Sequence, residues 1–283
     1  IFPVLKKHYF QEFYHGHTRP GGMFATHDGH IYVAAFPGYR GRDQKEKGMD
    51  IMHIGPDGTI INRKAVFVKG ATVGGLAVDR AGNIYLGVQI WPKEGRIPPK
   101  YARKLPPDTK HGHPSRAYKQ HGTIIKFPPS GGRIVPDPAG KYIGHAGGYA
   151  GLKAWSKGVG VKVEGALWIR RAGYVAINGH EVGCQCESTR FDVDDYGRVF
   201  VPDLFGFRVT VLDTAGNELT HFGKYGNMDN RGPKSARPVP AIPLGWPITV
   251  ELSGPRAYVA DLNNRRIVVA KLGCATTKTC PVN

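Results

Sequence analysis

One short pattern recurs along this chain: an alternating run, a polar residue, two further residues, a glycine, and a second alternating run. It is clearest over residues 190–223. Phe191 and Val193 alternate there with Asp192 and Asp194, the chain turns at Asp195-Tyr196-Gly197, and "RVFVP" resumes at Arg198. Period two marks both runs as strands with one buried face. A third run, "FRVTVLD", follows Asp203, and "DTAGNE" puts Gly216-Asn217 where a hairpin needs positive φ before "LTHFG". That makes four short antiparallel strands in 34 residues. Such a sheet has two faces and two open edges, so it cannot bury its apolar side alone and must pack against copies of itself.

Copies are present. "GGLAVDRAGNIYLGVQI" (74–90) repeats the inner hairpin, "MFATHDGHIYVAAF" (23–36) repeats it in shorter form, and "PITVELSGPRAYVADLNNRRIVVAKL" (247–272) repeats three strands, with Asp261 where Asp203 falls. Outer hairpins are expected at 49–63 and 122–135. The turn glycines Gly29, Gly82, Gly197 and Gly254 are 53, 115 and 57 residues apart, and 115 is close to twice 57. A hidden unit is therefore expected between the second and third, with 165–186 as its candidate. Radial repetition of four-stranded sheets, the β-propeller, settles the edge problem for such a series. Five blades follow from the spacing, six if Gly173 opens its own.

With 39 Gly and 22 Pro in 283 residues, turns are frequent and long helices scarce, so the expected class is all-β throughout a single domain, 1–283. The first residues, "IFPVLKKHYFQEF", are expected to add a closing strand to the last blade, joining both termini in one ring.

The stretches at 191–223 and 248–272 resemble NHL repeats: an apolar-Asp pair, Asp-x-Gly, aromatic-Val-x-Asp, x-x-Asn-x-Arg-Val and a glycine turn. The resemblance implies a propeller with an axial channel. NHL propellers serve as binding scaffolds, sensors, RNA-binding modules and occasionally lyases, so fold does not select a function. The amidating lyases among them place zinc-binding histidines at the mouths of inner strands. The matching positions here are Gly74-Gly75, Thr189-Arg190 and Gly245-Trp246, and none is histidine.

Two segments exceed the repeat. Residues 91–120 hold six Pro, eight Lys/Arg and two Asp/Glu, an extended basic insertion; 225–243 is a second Pro-rich connection. The formal charge of +17 favours anionic partners. Lys100, Arg103 and Lys104, interleaved with Tyr101, could contact phosphates and stack bases, or lie across an acidic protein or an anionic glycan. Arg190 and Trp246 at the axial mouth are further candidate binding residues, and a guanidinium there could take an anionic ligand in bidentate fashion. Asp203 and Asp261 are expected to hold their following turns through backbone N–H groups.

Four cysteines stand as two close pairs, which suits an oxidising compartment and suggests a secreted or periplasmic protein. Cys274 and Cys280 read as a disulfide loop. Cys184 and Cys186, with His180 nearby, read either as an oxidised pair or as ligands for Cu or Zn. The "HGH" triplets at His15/His17 and His111/His113 fall in loop-like sequence. No phosphate loop, nucleophile elbow or H-E-x-x-H occurs, so catalytic residues are not assigned. No apolar run approaches the ~20 residues needed to cross a bilayer. A binding scaffold engaging an acidic partner is the leading expectation, and a metal-assisted enzyme or redox protein with its site at the axial mouth is the alternative.

Overall fold

A computed structural model describes residues 22–35, 50–71, 73–93, 122–144, 159–171, 189–227 and 239–273. All regular structure among them is β, and no helix there is long and apolar enough to cross a membrane.

The glycine turns form as the pattern predicts. Gly29, Gly82, Gly197 and Gly254 all have positive φ. In the turn after Val78 the backbone closes from Gly82 N to Asp79 O at 2.9 Å, and Asp79 Oδ1 accepts the N–H groups of Ala81 (3.0 Å) and Asn83 (2.9 Å). Asp194 repeats this with Tyr196 and Arg198, and Asp213 with Ala215 and Asn217. A short acidic side chain that caps its own turn is why this residue type recurs three positions before the glycine.

The first sheet begins as the meander β1 (Gly22–Ala25), β2 (Ile31–Ala35), β3 (Asp50–Ile54), β4 (Ile60–Val68). The chain then runs through β5 (Val73–Val78), β6 (Ile84–Val88), β7 (Ile90–Pro92), β8 (Thr123–Phe127), β9 (Gly132–Pro136), β10 (Tyr142–Gly144), β11 (Val159–Glu164) and β12 (Trp168–Arg170). The third sheet, β13 (Asp192–Val193), β14 (Val199–Asp203), β15 (Arg208–Leu212) and β16 (Glu218–Phe222), is the contiguous four-stranded meander expected. A parallel pair, β17 (Lys224–Tyr225) with β18 (Pro243–Leu244), ties the two ends of the Pro-rich connection together. The fourth sheet has three strands: β19 (Pro247–Ser253), β20 (Arg256–Asp261) and β21 (Arg266–Lys271).

Two expectations are corrected in the middle of the chain. The outer hairpin over 122–135 does not pair with itself: β8 stays beside β6, while β9 leaves and runs parallel to β4, Val66 opposite Gly132 and Val68 opposite Ile134. The physical reason is the Gly131-Gly132 pair. Gly131 has φ +82, and a Cβ there would stand 1.8 Å from the carbonyl oxygen of Ala65; a Cβ on Gly132 would stand 2.3 Å from the Phe127 ring. Only two residues without side chains allow that approach. The vacated edge is filled by β12, antiparallel to β8, so the second sheet is β5-β6-β8-β12. The start of the expected hidden unit at 165–186 is thus the outer strand of the preceding sheet. β9 also pairs with β11, and β11, β10 and β7 extend the first sheet to eight strands. The insertion accordingly starts inside an ordered strand at Trp91; residues 94–120 lie outside those described, as do the expected closing strand at the N-terminus and most of 165–186.

The sheets stack face to face in chain order. A first apolar cluster joins sheets one and two through Tyr32, Val66, Leu76, Ile84, Leu86 and Phe127. A second joins two and three through Tyr85, Ile124, Phe191, Val199, Val201 and Leu212, and a third joins three and four through Phe200, Val209, Val211, Val250, Ala257 and Val259. Alternate residues of β14 therefore serve opposite neighbours, Val199 and Val201 one way and Phe200 the other, which is why every residue of that strand is buried. Each such side chain contributes roughly 1.5–3 kcal/mol. Inner strands meet along one line: a Cβ on Gly22 of β1 would stand 3.0 Å from that of Leu76 on β5, and Arg190 bridges in parallel to Thr249 on β19. Consecutive meanders stacked through their inner strands are the blade packing of a β-propeller. The two end faces of the series carry exposed apolar residues, Met23 (71%) on one and Ile267 (68%) on the other.

Candidate functional site

Arg190 and Trp246 do lie at the same end of neighbouring sheets. The Arg190 backbone donates to Ile248 O (3.0 Å) and accepts from Val250 N (3.1 Å), while its guanidinium Nη1 donates to Gly74 O and, at 3.2 Å, to Thr189 O. One residue thereby connects the inner strands of sheets two, three and four. Trp246 N donates to Asp261 Oδ1 at 2.8 Å. Two carboxyls stand close by. Burial pushes the Asp192 carboxyl above its ordinary range, although its Oδ2 accepts from Leu252 N (2.8 Å) and its Oδ1 from Val193 N (2.8 Å). Burial and the charge of Asp192 push Glu251 up as well, against the pull of Arg190.

Asp203 does hold its following turn, its Oδ1 accepting from Gly206 N at 2.8 Å. Asp261 differs. Fully buried, it accepts instead from Gly245 N (2.9 Å) and Trp246 N (2.8 Å), so it fixes the entry to its own sheet, while Asn264 and Arg266 reach its Oδ2. Lys100, Tyr101, Arg103, Lys104, His180, Cys184, Cys186, Cys274 and Cys280 all lie outside the described residues.

The departure of β9 creates a feature that turn spacing did not foretell. Where β4, β9 and β11 run side by side, Phe67 opposes Arg133 and Arg133 opposes Glu164, so all three share the outward face, with Val135 and Lys162 in the next row. Lys64, Lys69 and Arg133 line a cleft of about 260 Å³ whose apolar wall is Phe67, Val135 and Pro136. Arg133 Nε is 3.3 Å from Glu164 Oε2, Lys162 Nζ is 2.9 Å from Glu164 Oε1, and Lys64 Nζ stands 5.1 Å from the Phe67 ring centroid. Lys64, Lys69, Arg133 and Lys162 make this face cationic, and the Glu164 carboxylate is shared between Arg133 and Lys162. Beneath Lys64, Asp50 has its carboxyl raised to about 6 by burial, opposed by the Lys64 charge, and its Oδ1 finds no hydrogen-bond donor among the described residues. The arrangement suits a ligand presenting several negative charges beside an apolar surface. The sequence signal that could have found it is the adjacent glycine pair before "RIV", a doubled glycine where a hairpin needs one.

A second cluster, also absent from the sequence reading, lies at the turn end of the first sheet. His53 Nε2 and His30 Nδ1 are 2.9 Å apart, and the Tyr32 ring stacks on His53 at 4.2 Å and 10°. Among the described residues no group of three or more His, Cys, Asp or Glu converges on one point.

No family model matches the chain, and no curated protein matches it. Solved structures do. One is a protein of unknown function from Bacteroides caccae, at 12% identity and a TM-score of 0.34, covering 90% of this chain and 61% of that one. A gluconolactonase-family protein matches at 14% identity and a TM-score of 0.36, covering 90% and 60%, and a nidogen/laminin complex at 12% and 0.33, covering 90% and 76%. The chain thus spans about three fifths of the length of the first two proteins it resembles.

Proposed function

We propose that the chain is an exported, NHL-like β-propeller of five or six blades that acts as a binding scaffold for an acidic protein partner, with its basic surfaces as the docking elements. The apolar residues exposed on both end faces of the four-sheet series support further blades or terminal strands closing the ring, since a propeller face carrying Ile267 and Val269 is stable when covered. The observation that carries the functional part is the cleft of Lys64, Lys69 and Arg133: three cations around an apolar wall on a chain of net charge +17. Such a field raises association rates with anionic surfaces and weakens as salt screens it.

The test is binding of labelled polyglutamate to the full chain, followed by anisotropy at ~50 and ~200 mM salt. The expected result is saturable binding that weakens with salt, and a loss of about tenfold in the triple variant K64A/K69A/R133A at unchanged melting temperature. Equal affinity of the variant and the parent would overturn the role of the cleft. Stronger binding of heparin or single-stranded DNA than of polyglutamate would replace the acidic protein with a glycan or a nucleic acid.

A further inference from the structure

We propose that His30 and His53 form a two-imidazole seat for a divalent transition metal of square-planar or octahedral preference, Cu(II) above Zn(II), which is independent of the acidic-partner reading. The two residues come together through strand register. His53 lies opposite Tyr32 across β2 and β3, and His30 is the last residue of the turn that feeds β2. Their facing nitrogens, His53 Nε2 and His30 Nδ1, are 2.9 Å apart. Metal–imidazole bonds of about 2.0 Å at right angles put adjacent ligand nitrogens about 2.8 Å apart, whereas a tetrahedral ion needs about 3.3 Å. The spacing therefore matches the ions that accept ligands at 90° without moving the backbone. In the hydrogen-bonded pair the two nitrogens face each other, so directing both lone pairs at one ion turns each by about 45° away from the N–N line.

The surroundings hold both rings in place. Tyr32, 7% exposed, stacks on His53. Asp28 Oδ2 lies 3.8 Å from His30 Nε2, the ring nitrogen that does not face His53. That separation is longer than a hydrogen bond, so Asp28 acts on His30 as a nearby negative charge that favours hydrogen on Nε2 and leaves Nδ1 bare for coordination. Asp28 is itself held by the Thr26 hydroxyl, which keeps its carboxyl below the ordinary range, and the His30 backbone N–H donates to Thr26 Oγ1 at 3.0 Å. In the metal-free pair one ring donates its N–H to the other. Binding moves that hydrogen to the far nitrogen of the same ring, so each neutral imidazole keeps one N–H and no net proton is released. Water or a donor from a bound partner completes the coordination.

Twelve histidines give the chain other sites for loosely held metal, so the test must resolve residues. Sub-stoichiometric Cu(II) is added to the full chain and the imidazole signals are followed by NMR. The expected result is that His30 and His53 broaden together and before the other histidines, with Cu(II) held at least tenfold more tightly than Zn(II). In H30Q and H53Q the bound copper falls by one equivalent by native mass spectrometry, and D28N weakens binding about tenfold with both imidazoles intact. Broadening of other histidines first, in the unmodified chain, would overturn the assignment whatever the variants do. Zn(II) binding tighter than Cu(II) would overturn the geometric argument.

Discussion

The second and third sheets start from the same hairpin chemistry and end differently. In the third, four strands follow one another and each turn pairs its neighbours. In the second, only β5 and β6 are joined by a turn, β8 joins them beyond β7 and the insertion, and the fourth place is supplied by β12, more than thirty residues beyond the strand that should have filled it. Asp79 and Asp213 cap their turns alike, yet the Asp79 side chain is 7% exposed whereas the capping bonds of Asp213 face solvent. Local capping forms a turn, and what the turn then packs against decides how much depends on it.

The largest expected effect tests that contrast directly. Around Asp79 the hydroxyl of Tyr85 donates to Oδ2 at 2.9 Å, Lys126 Nζ lies 3.6 Å from the same oxygen, and Lys126 and Trp168 Nε1 both donate to Thr214 O in the third sheet, at 3.2 and 2.9 Å. The carboxylate therefore anchors a polar bridge between sheets, and Tyr85 is pushed above its ordinary range chiefly by burial. Asp79→Ala strands a buried ammonium and a buried hydroxyl, and is expected to cost about 4 kcal/mol. Asp213→Ala removes a solvent-facing cap and is expected to cost about 1 kcal/mol. Urea unfolding of both variants measures the difference, and equal costs would show that the bridge between sheets contributes nothing.

The next effect concerns the strand that leaves. Gly131→Ala puts a methyl group onto the Ala65 carbonyl and forces a side chain to positive φ, so it is expected to destabilise by about 3 kcal/mol and to open the β4–β9 ladder. Hydrogen exchange should report this as lost protection at Ile134 and Lys69, whose N–H donates to Ile134 O, with protection in β14 and β15 retained. Gly216→Ala in the third sheet makes the same kind of turn strained but meets the flat Trp168 ring rather than backbone, and should leave all ladders intact.

These contrasts mark what was legible in the sequence. Turn positions, strand periodicity, the contiguous third sheet and the structural role of Asp203 follow from residues within a few places of one another, where capping and alternation dominate. The exchange of β9 for β12, the cleft and the histidine pair depend on which distant segments meet, and no local propensity encodes that. His30 and His53 sit 23 residues apart and become neighbours only through the register of β2 and β3. Arg190 shows the intermediate case. Its position just before an inner strand was readable from the repeat, but its bond to Gly74 O, 116 residues earlier, was not.

The smallest effect sharpens the comparison at the sheet that receives the displaced strand. Asp50, at the start of β3, is raised to about 6 by burial, against an ordinary value of 3.8. Its folded form therefore holds a proton more tightly than the unfolded chain does. Below about pH 4 both states are protonated and the group is neutral in its effect. As pH rises through 6 the folded protein must carry a buried charge, and the stability present at low pH is lost. The full linkage would approach 3 kcal/mol, and solvent screening of this half-buried group reduces it to on the order of 1 kcal/mol. Asp50→Asn is expected to leave stability unchanged near pH 4 and to raise it by that amount at pH 8, measured as the difference between the two unfolding curves. If the cleft binds an acidic partner, occupancy by that partner should make the charge on Asp50 still more costly, because a second negative group then faces Lys64. Polyglutamate binding in the parent should weaken between pH 5 and 7 more than in Asp50→Asn; parallel profiles would mean that Lys64 meets the ligand without regard to the carboxyl beneath it.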